Sequence, residues 1–334
     1  VEARNIIGVL PGLDEAMPLG QRQQQQVWKD QVIVVHAYYD AVSVVPALAP
    51  GAESATGIAA LLEVARLLKQ QGTRYTVLFL ATAGHYEGLA GINDFLYRHT
   101  RKSEYFRSRI ATGDRLDFRL FVGLDLSSHS PTVASFATGT FYNPAWATDD
   151  YQKNLIAHYA TQFGRYNQEV FGDSSRYLDA VAPAKRTWKN YMPVRLAFDS
   201  EAVTFVGKEA IAFATPNQLR ERVDTPHDRL ELVDLEGLTA QTRTLAGLLL
   251  KAASAPDFFN DSKLELQDWG HSLEGHVYWF DRKVNFAVPK SPVPGALVTY
   301  MQPGPNSVGG VRTLIATFTG REGAERGHFK FPIM

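Results

Sequence analysis

Two short apolar runs, residues 32–35 and 76–81, are each followed by side chains that can bind metals or transfer protons. The first run leads into His36, Tyr38 and Asp40, and the second leads into the sequence GHYEG. Imidazoles and carboxylates are common protein ligands of zinc and the usual general acids and bases. These two places are therefore the first candidates for a binding or catalytic site.

An amphipathic helix is predicted between the two runs, over residues 55–71, and Gly72 is expected to end it. Its predicted buried face consists of Ile58, Leu61, Leu62, Ala65 and Leu68. A strand, a helix and a second strand in this order form a parallel crossover unit. Because ligands of open α/β sheets bind where the parallel strands end, we expect the polar residues after both runs to lie together.

The remaining pattern of apolar residues predicts an α/β domain over residues 1–256, a mostly parallel mixed sheet with helices on both faces. Residues 127–195 are irregular and rich in aromatic side chains, and we expect them to form an insertion over the strand ends. Further strands are predicted at 5–12, 120–126 and 202–215, and further helices at 89–98, 151–163 and 233–251.

The composition is that of a globular protein, with 45% hydrophobic and 21% charged residues. A net charge of -1 gives no overall field that would attract nucleic acid. The sequence contains no cysteine, which excludes disulfides, thiolate metal ligands and cysteine nucleophiles. No apolar run reaches the roughly 18 residues of a membrane span. Because the chain begins with valine, we expect it to be part of a longer precursor.

Residues 257–334 are expected to form a second domain, a small and incomplete β-sandwich. Apolar and polar residues alternate over 276–280, 296–301, 313–318 and 328–331, with turn residues between these runs. The segments LEGHVYWFDRKVNF, PVPGALV and GHFKFPI are similar to carboxypeptidase-regulatory or transthyretin-like domains. That resemblance implies a spacer or docking module without chemistry of its own.

Several motifs in the first domain resemble the M28 family of zinc-dependent aminopeptidases, over about residues 5–254. The motifs are NIIGVLPG, APGAESATGIAALLEVARLL, GHYEGLAG, GLDL and TPHDRLELVDLEGL. The resemblance implies a zinc-exopeptidase-like fold and a site for two zinc ions. In such sites the ions lie about 3.5–4 Å apart, polarise the scissile carbonyl and generate hydroxide near neutral pH.

The family holds its two zinc ions with a His-x-Asp strand end, a bridging Asp, a Glu-Glu pair, a lone Asp and a C-terminal His. In this sequence those positions read Tyr38-Tyr39-Asp40, Glu53, His85-Tyr86, Asp125 and Asp224. Of the five metal-ligand positions only Asp125 keeps the family residue, although Glu53 and Asp224 remain carboxylates.

Three family positions, Tyr38, His85 and Tyr86, carry side chains whose chemistry differs most from that of the family residues. Tyr38 replaces a ligand histidine, and a phenol with a pKa near 10 binds zinc poorly at neutral pH. His85 replaces the proton-relaying glutamate, and Tyr86 replaces its neighbouring ligand. Asp40, which orients the missing histidine in the family, has no ligand to orient. The resemblance therefore implies a degenerate site with no catalytic residue, no metal and no cofactor.

Three other uses of these residues stay open on the sequence alone. Zinc could bind through relocated histidines, His36, His85 and His227, at the same sheet edge. Glu53, Asp125 and Asp224 could hold a hard cation such as calcium, or one of them could pair with a basic side chain. A serine triad lacks support, because no Gly-x-Ser-x-Gly elbow is present.

We therefore expect a catalytically inactive M28-like protein that acts as a structural or protein-binding module. Its setting would be a larger extracytoplasmic assembly, periplasmic or extracellular, with protein partners and no nucleic acid. Membrane proximity would come from segments outside this sequence. The alternatives are a metal-dependent aminopeptidase or amidohydrolase with a rearranged metal site, and a carbohydrate- or peptide-binding protein that uses the old cleft without turnover.

Overall fold

A computed structural model describes the chain in ten stretches. They are residues 4–13, 28–43, 45–100, 116–139, 149–181, 188–205, 208–259, 273–280, 291–302 and 313–331. Among these residues, no helix has the length and apolar character that a membrane crossing requires.

Within the described residues, seven strands form a central sheet. They are β1 (Ile6–Leu10), β2 (Gln31–Tyr38), β3 (Thr76–Thr82), β4 (Asp117–Asp125), β5 (Val133–Phe136), β6 (Tyr177–Asp179) and β7 (Ala210–Ala214). Their spatial order is β1-β3-β2-β4-β7-β5-β6. Strands β3, β2, β4 and β7 are parallel neighbours, and β5 and β6 are also parallel. Only β1 against β3 and β5 against β7 are antiparallel within this sheet, so the predicted mostly parallel mixed sheet is confirmed.

Five α-helices accompany the sheet in the described stretches: α1 (Thr56–Gln71), α2 (Ala90–Phe95), α3 (Asp149–Phe171), α4 (Asp199–Phe205) and α5 (Leu235–Ser254). Side chains of α1, α3 and α5 pack on one face of the sheet with Ile33 and Val35 of β2. Side chains of α2 and α4 pack on the other face with Val32 and Val34. Because strand residues alternate between faces, His36 and Tyr38 lie on the side of α2 and α4.

Helix α1 positions the loop after β2, and its ends agree with the prediction. Gly72 adopts a φ of 74° and donates its backbone N–H to the carbonyl of Leu68, which ends the helix. The predicted buried face was wrong at Leu62, which is 64% exposed. Leu61, Val64 and Leu68 form the buried stripe instead, and Leu62 lies about 100° around the helix from Leu61.

Two predicted regions differ from the structure. The expected insertion over 127–195 contains strands β5 and β6, which extend the central sheet, and the long helix α3. The predicted strand over 202–215 begins as helix α4 and becomes strand only at Ala210. Asp199 and Glu201 in the first turn of α4 favour a helix start at that point.

The described stretches of the C-terminal region contain three two-stranded antiparallel sheets. They pair β8 (Leu273–His276) with β13 (His328–Phe331), β9 (Tyr278–Trp279) with β10 (Ser291–Pro292), and β11 (Leu297–Gln302) with β12 (Thr313–Phe318). The predicted strand positions are thus closely matched, and their assembly into a sandwich stays a prediction. Phe258 and Phe259, which follow the predicted boundary at residue 256, lie in the core of the first domain.

Candidate functional site

Tyr38, His85 and Tyr86 form an aromatic cluster where β2 and β3 end. The Tyr38 and His85 rings stack with centroids 4.0 Å apart, and the Tyr86 ring meets Tyr38 edge-on at 5.9 Å. Burial raises the pKa of the Tyr38 hydroxyl well above its usual value, and the negative charge of Asp125 adds to this effect. The same two causes raise the pKa of Tyr86. Both phenols are therefore neutral at physiological pH and offer no phenolate to a cation.

Asp125, at the end of β4, is paired with a cationic side chain, Arg220. Arg220 donates from Nη1 to Asp125 Oδ1 at 2.5 Å and from Nη2 to the Asp125 carbonyl at 2.8 Å. The Tyr38 hydroxyl donates to the same Oδ1 at 3.2 Å. The two charged side chains are only 10% and 8% exposed. Burial lowers the pKa of Arg220, but the charge and hydrogen bond of Asp125, together with the nearby Tyr38 and Tyr86, raise it overall.

His85 is held by a second buried carboxylate, that of Asp199. His85 Nδ1 lies 2.7 Å from Asp199 Oδ1, and the Thr82 hydroxyl donates to Oδ2 at 2.6 Å. Burial lowers the pKa of His85, but the hydrogen bond and charge of Asp199 raise it above its usual value. Asp40 accepts from the His85 backbone N–H at 3.0 Å. It therefore positions the turn after β3 rather than a metal ligand.

The buried carboxylate of Glu53 accepts hydrogen bonds from Ser128 and contacts His129. It accepts hydrogen bonds from the Ser128 hydroxyl at 2.5 Å and the Ser128 backbone N–H at 2.9 Å, and its Oε1 lies 3.0 Å from Nε2 of His129. Its own backbone N–H donates to Asp228 Oδ1 at 2.6 Å. These contacts hold Glu53 toward the 127–129 segment.

The remaining predicted site residues are not brought into one cluster. His36 is buried in β2 next to Phe121 and Gly123, and burial lowers its pKa to about 4. His227 and Asp224 are exposed in the loop before α5. Within the described residues, no group of three or more His, Asp or Glu side chains could hold a metal ion.

Arg220, Asp199 and His129 complete the site. For Arg220 and His129 the sequence contains no motif that marks them as site residues. Asp199 belongs to the segment Phe198-Asp199-Ser200, which resembles a Ser-Asp-His segment near the substrate site of the family. Arg220 is one of three arginines in a polar stretch of ten residues and has no motif around it. Its backbone φ of 51° is the only local mark of a special position, and it is visible only in three dimensions.

The sequence profile of peptidase family M28 matches residues 19–249, which is more than half of the chain. The chain belongs to peptidase family M28. The resemblance read from the motifs is thereby confirmed at the level of the family. Among curated proteins, no sequence matches this M28 chain.

Solved structures similar to this M28 chain include three aminopeptidases. BSAP, a zinc aminopeptidase from Bacillus subtilis, shares 16% identity with a TM-score of 0.47, over 76% of this chain and 50% of BSAP. The LapA aminopeptidase of Legionella pneumophila shares 14% with a TM-score of 0.46, over 74% and 59%. A leucine aminopeptidase precursor from Bacteroides thetaiotaomicron shares 16% with a TM-score of 0.45, over 74% and 76%. The chain spans about half the length of BSAP.

The donor set of this M28 chain does not suit a pair of zinc ions. The Asp125 carboxylate already binds a guanidinium, and two positions offer neutral phenols whose pKa values are raised by burial. Glu53 is held by Ser128 and His129. A cation entering at Asp125 would have to displace Arg220, which brings a positive charge to the same carboxylate oxygen.

Proposed function

We propose that this M28 chain is a pseudoenzyme, a catalytically inactive member that serves as a structural or protein-binding module. The observation that carries the proposal is the buried ion pair between Arg220 and Asp125. In a two-metal hydrolase the metals supply the positive charge that polarises the scissile carbonyl. Here a fixed guanidinium balances the one unchanged ligand, and its hydrogens are directed to Asp125 rather than to a substrate.

The position of the proton-relaying glutamate supports the same proposal. His85 places Nδ1 against Asp199, and its ring is stacked on Tyr38. A general base must be able to reach a water or substrate proton within hydrogen-bond distance. The contact with Asp199 occupies Nδ1 and leaves Nε2 as the one ring nitrogen that could meet such a proton.

A binding role is supported by apolar side chains exposed near this sheet edge. Tyr39 is 41% exposed and Tyr86 is 39% exposed, while Leu219 beside Arg220 is 54% exposed. Large exposed apolar side chains in a cleft are a common feature of protein-binding surfaces. The proposed setting is a larger assembly outside the cytoplasm, periplasmic or extracellular, with protein partners.

Metal content and turnover of the purified full chain test the proposal directly. After incubation with zinc and removal of the excess, we expect fewer than one zinc ion per chain by elemental analysis. We also expect no cleavage of aminoacyl p-nitroanilides above the blank. Two zinc ions per chain together with cleavage would instead establish the alternative, an aminopeptidase or amidohydrolase with a rearranged metal site.

A further inference from the structure

A cavity of about 280 Å³ lies beside the Asp125–Arg220 pair. Its walls are Glu53, Ser127, His129 and the contiguous segment 217–222. This volume lies just below the roughly 300–1,000 Å³ that is typical of small-molecule sites, which suits a small ligand of one or two amino-acid residues. We infer that it binds the carboxylate of a ligand and that Arg222 is the cation that recognises it.

Arg222 is the one cation of the cavity wall that the described carboxylates leave without an ion pair. Arg220 is already neutralised by Asp125. The Arg222 guanidinium donates from Nη1 to the Leu232 carbonyl at 2.7 Å and lies 2.9 Å from Nε2 of His129. Neither contact is with a carboxylate, so the positive charge of Arg222 is available to an anion. A planar guanidinium is suited to bind a carboxylate through two parallel hydrogen bonds.

His129 has two competing partners, which an anion at Arg222 would separate. Its Nε2 lies 3.0 Å from Glu53 Oε1 and 2.9 Å from Arg222 Nη1. A single ring nitrogen either donates a proton or accepts one, so it cannot satisfy a carboxylate and a guanidinium together. When a ligand carboxylate engages Arg222, His129 is free to donate to Glu53. Ligand binding therefore removes the competition between Glu53 and Arg222 for this nitrogen.

The backbone of the cavity wall is strained at Arg220 and is anchored by a hydrogen bond at Asn217. Within the wall, Asn217 has a φ of 59° and Arg220 a φ of 51°. Asparagine adopts this left-handed conformation readily, whereas arginine does not. The Asn217 backbone N–H donates to the Tyr191 carbonyl at 2.8 Å, which fixes the start of the segment. Non-glycine residues in this conformation cost free energy and cluster at ligand sites. The segment is thus pre-shaped around the cavity.

The other groups that line the cavity indicate the chemical nature of the ligand to which the carboxylate belongs. Asn217 and Gln218 supply side-chain amides, and Leu219 supplies an exposed apolar surface. The carboxylates of Glu53 and Glu221 are also in the wall and disfavour a second negative charge on the ligand. A ligand body with amides and small apolar groups fits this lining better than a second charge does. The ligand class is therefore an N-acylated amino acid or the C-terminus of a peptide, both of which present the same carboxylate. This inference rests on the proposed function only in requiring that the cavity binds its ligand without turnover.

Two probes that differ only in the carboxylate test the assignment on the unaltered full chain. N-acetyl-alanyl-alanine carries the free acid, and N-acetyl-alanyl-alaninamide carries a neutral amide of the same size. By calorimetry or ligand-detected NMR we expect the acid to bind at least about tenfold more tightly, the usual effect of one charge-assisted contact. Arg222→Gln should remove this difference. Arg229→Gln, on the same loop with its Nε bound to the Pro226 carbonyl, should keep it.

N-acetylalanine identifies the source of the carboxylate. Affinity equal to that of the dipeptide acid supports an acylated amino acid, and weaker affinity supports a peptide C-terminus. Equal binding of the acid and the amide would overturn the assignment, as would no binding of either at about 10 mM. Retention of the preference in Arg222→Gln would also overturn it. Hydrolysis of an aminoacyl amide is a separate readout, so failure of the proposed function is distinguishable from failure of the carboxylate site.

Discussion

Asp125, the one family ligand position with an unchanged residue, has a guanidinium as its partner. Its carboxylate is buried, and an unpaired buried charge is too costly to persist. In a metal site the ion supplies the compensating charge, whereas here Arg220 supplies it, with one hydrogen bond to Oδ1 and one to the Asp125 backbone carbonyl. The neutral Tyr38 hydroxyl adds a hydrogen bond to the same Oδ1. An aspartate at position 125 is therefore compatible with a metal site and with an ion pair. The group that contacts its carboxylate distinguishes the two.

Replacing Arg220 with leucine should destabilise the protein more than replacing both members of the pair. Arg220→Leu leaves Asp125 buried without a cation, and losses of about 3–5 kcal/mol in the free energy of unfolding are typical of such changes. Arg220→Leu with Asp125→Leu removes both charges and should recover at least half of that loss. Denaturant unfolding of the two variants and of Asp125→Leu gives the coupling energy. Additive effects of the single substitutions would contradict the assigned pairing.

His36 should make the stability of the protein depend on pH. Burial lowers its pKa to about 4 in the folded chain, below the 6.5 of an exposed histidine. Between these two values the unfolded chain binds the proton more readily than the folded chain does. The stabilisation is therefore complete above about pH 6.5 and is lost as the pH falls toward about 4, by up to roughly 3 kcal/mol.

Comparison with His36→Asn isolates this contribution. The variant should lose less stability than the unaltered chain when the pH is lowered from about 7.5 to about 4.5, measured by urea unfolding. His227→Asn is the control, since His227 is exposed in the loop before α5. An identical pH profile for His36→Asn and the unaltered chain would show that His36 is not buried in its neutral form.

At the scale of the elements, the periodicity of apolar residues predicts the strands and helices that depend on neighbouring residues. It does not predict contacts between residues that are far apart in the sequence. Strands β2, β3 and β4 and helix α1 follow from continuous apolar runs and 3.6-residue spacing. Helix α4 lies where the sequence predicts a strand, because residues 202–205 are as apolar as a buried strand. The pairing of Asp125 with Arg220 joins residues 95 positions apart. No local pattern encodes that pairing, so it could not be read from the sequence.

The turn between β3 and α2 holds His85 and Tyr86 in place and depends on close backbone packing at Gly91. A Cβ atom there would lie 2.0 Å from the Ala83 carbonyl oxygen and 2.8 Å from Asn5 Oδ1. Asn5 donates to the Gly91 carbonyl at 2.7 Å and accepts from the Ala83 N–H at 3.3 Å, so it clamps both ends of the turn.

Gly91→Ala should therefore lower the free energy of unfolding by at least about 2 kcal/mol, because backbone atoms cannot move aside as side chains can. Gly8→Ala is the matched control in strand β1, where the added Cβ would meet Phe79 at an ordinary 3.8 Å. We expect that variant to be as stable as the unaltered chain or more stable by up to about 1 kcal/mol. Similar losses for both glycines would rule out tight packing at the turn as the cause.

For the whole molecule, the described contacts indicate where the α/β unit ends. The predicted boundary after residue 256 assigns Phe258 and Phe259 to the C-terminal region. Phe258 is fully buried, with its ring centroid 5.4 Å from Tyr159 and 5.9 Å from Phe163 of helix α3. Phe259 packs 4.8 Å from Tyr75, next to the start of β3. The two phenylalanines thus tie the chain after α5 to the core of the sheet.

Phe258→Ala in the full chain should destabilise the α/β unit by about 3–5 kcal/mol, the usual cost of removing a buried phenylalanine. Phe280→Ala serves as its control, since that side chain is 58% exposed and such changes usually stay within about 0.5 kcal/mol. Hydrogen exchange monitored by mass spectrometry locates the effect. Faster exchange in α3 and β3 for Phe258→Ala alone is expected if residues 257–259 complete the first core. Faster exchange confined to residues beyond 273 would place Phe258 with the C-terminal sheets instead and move the domain boundary back to residue 256.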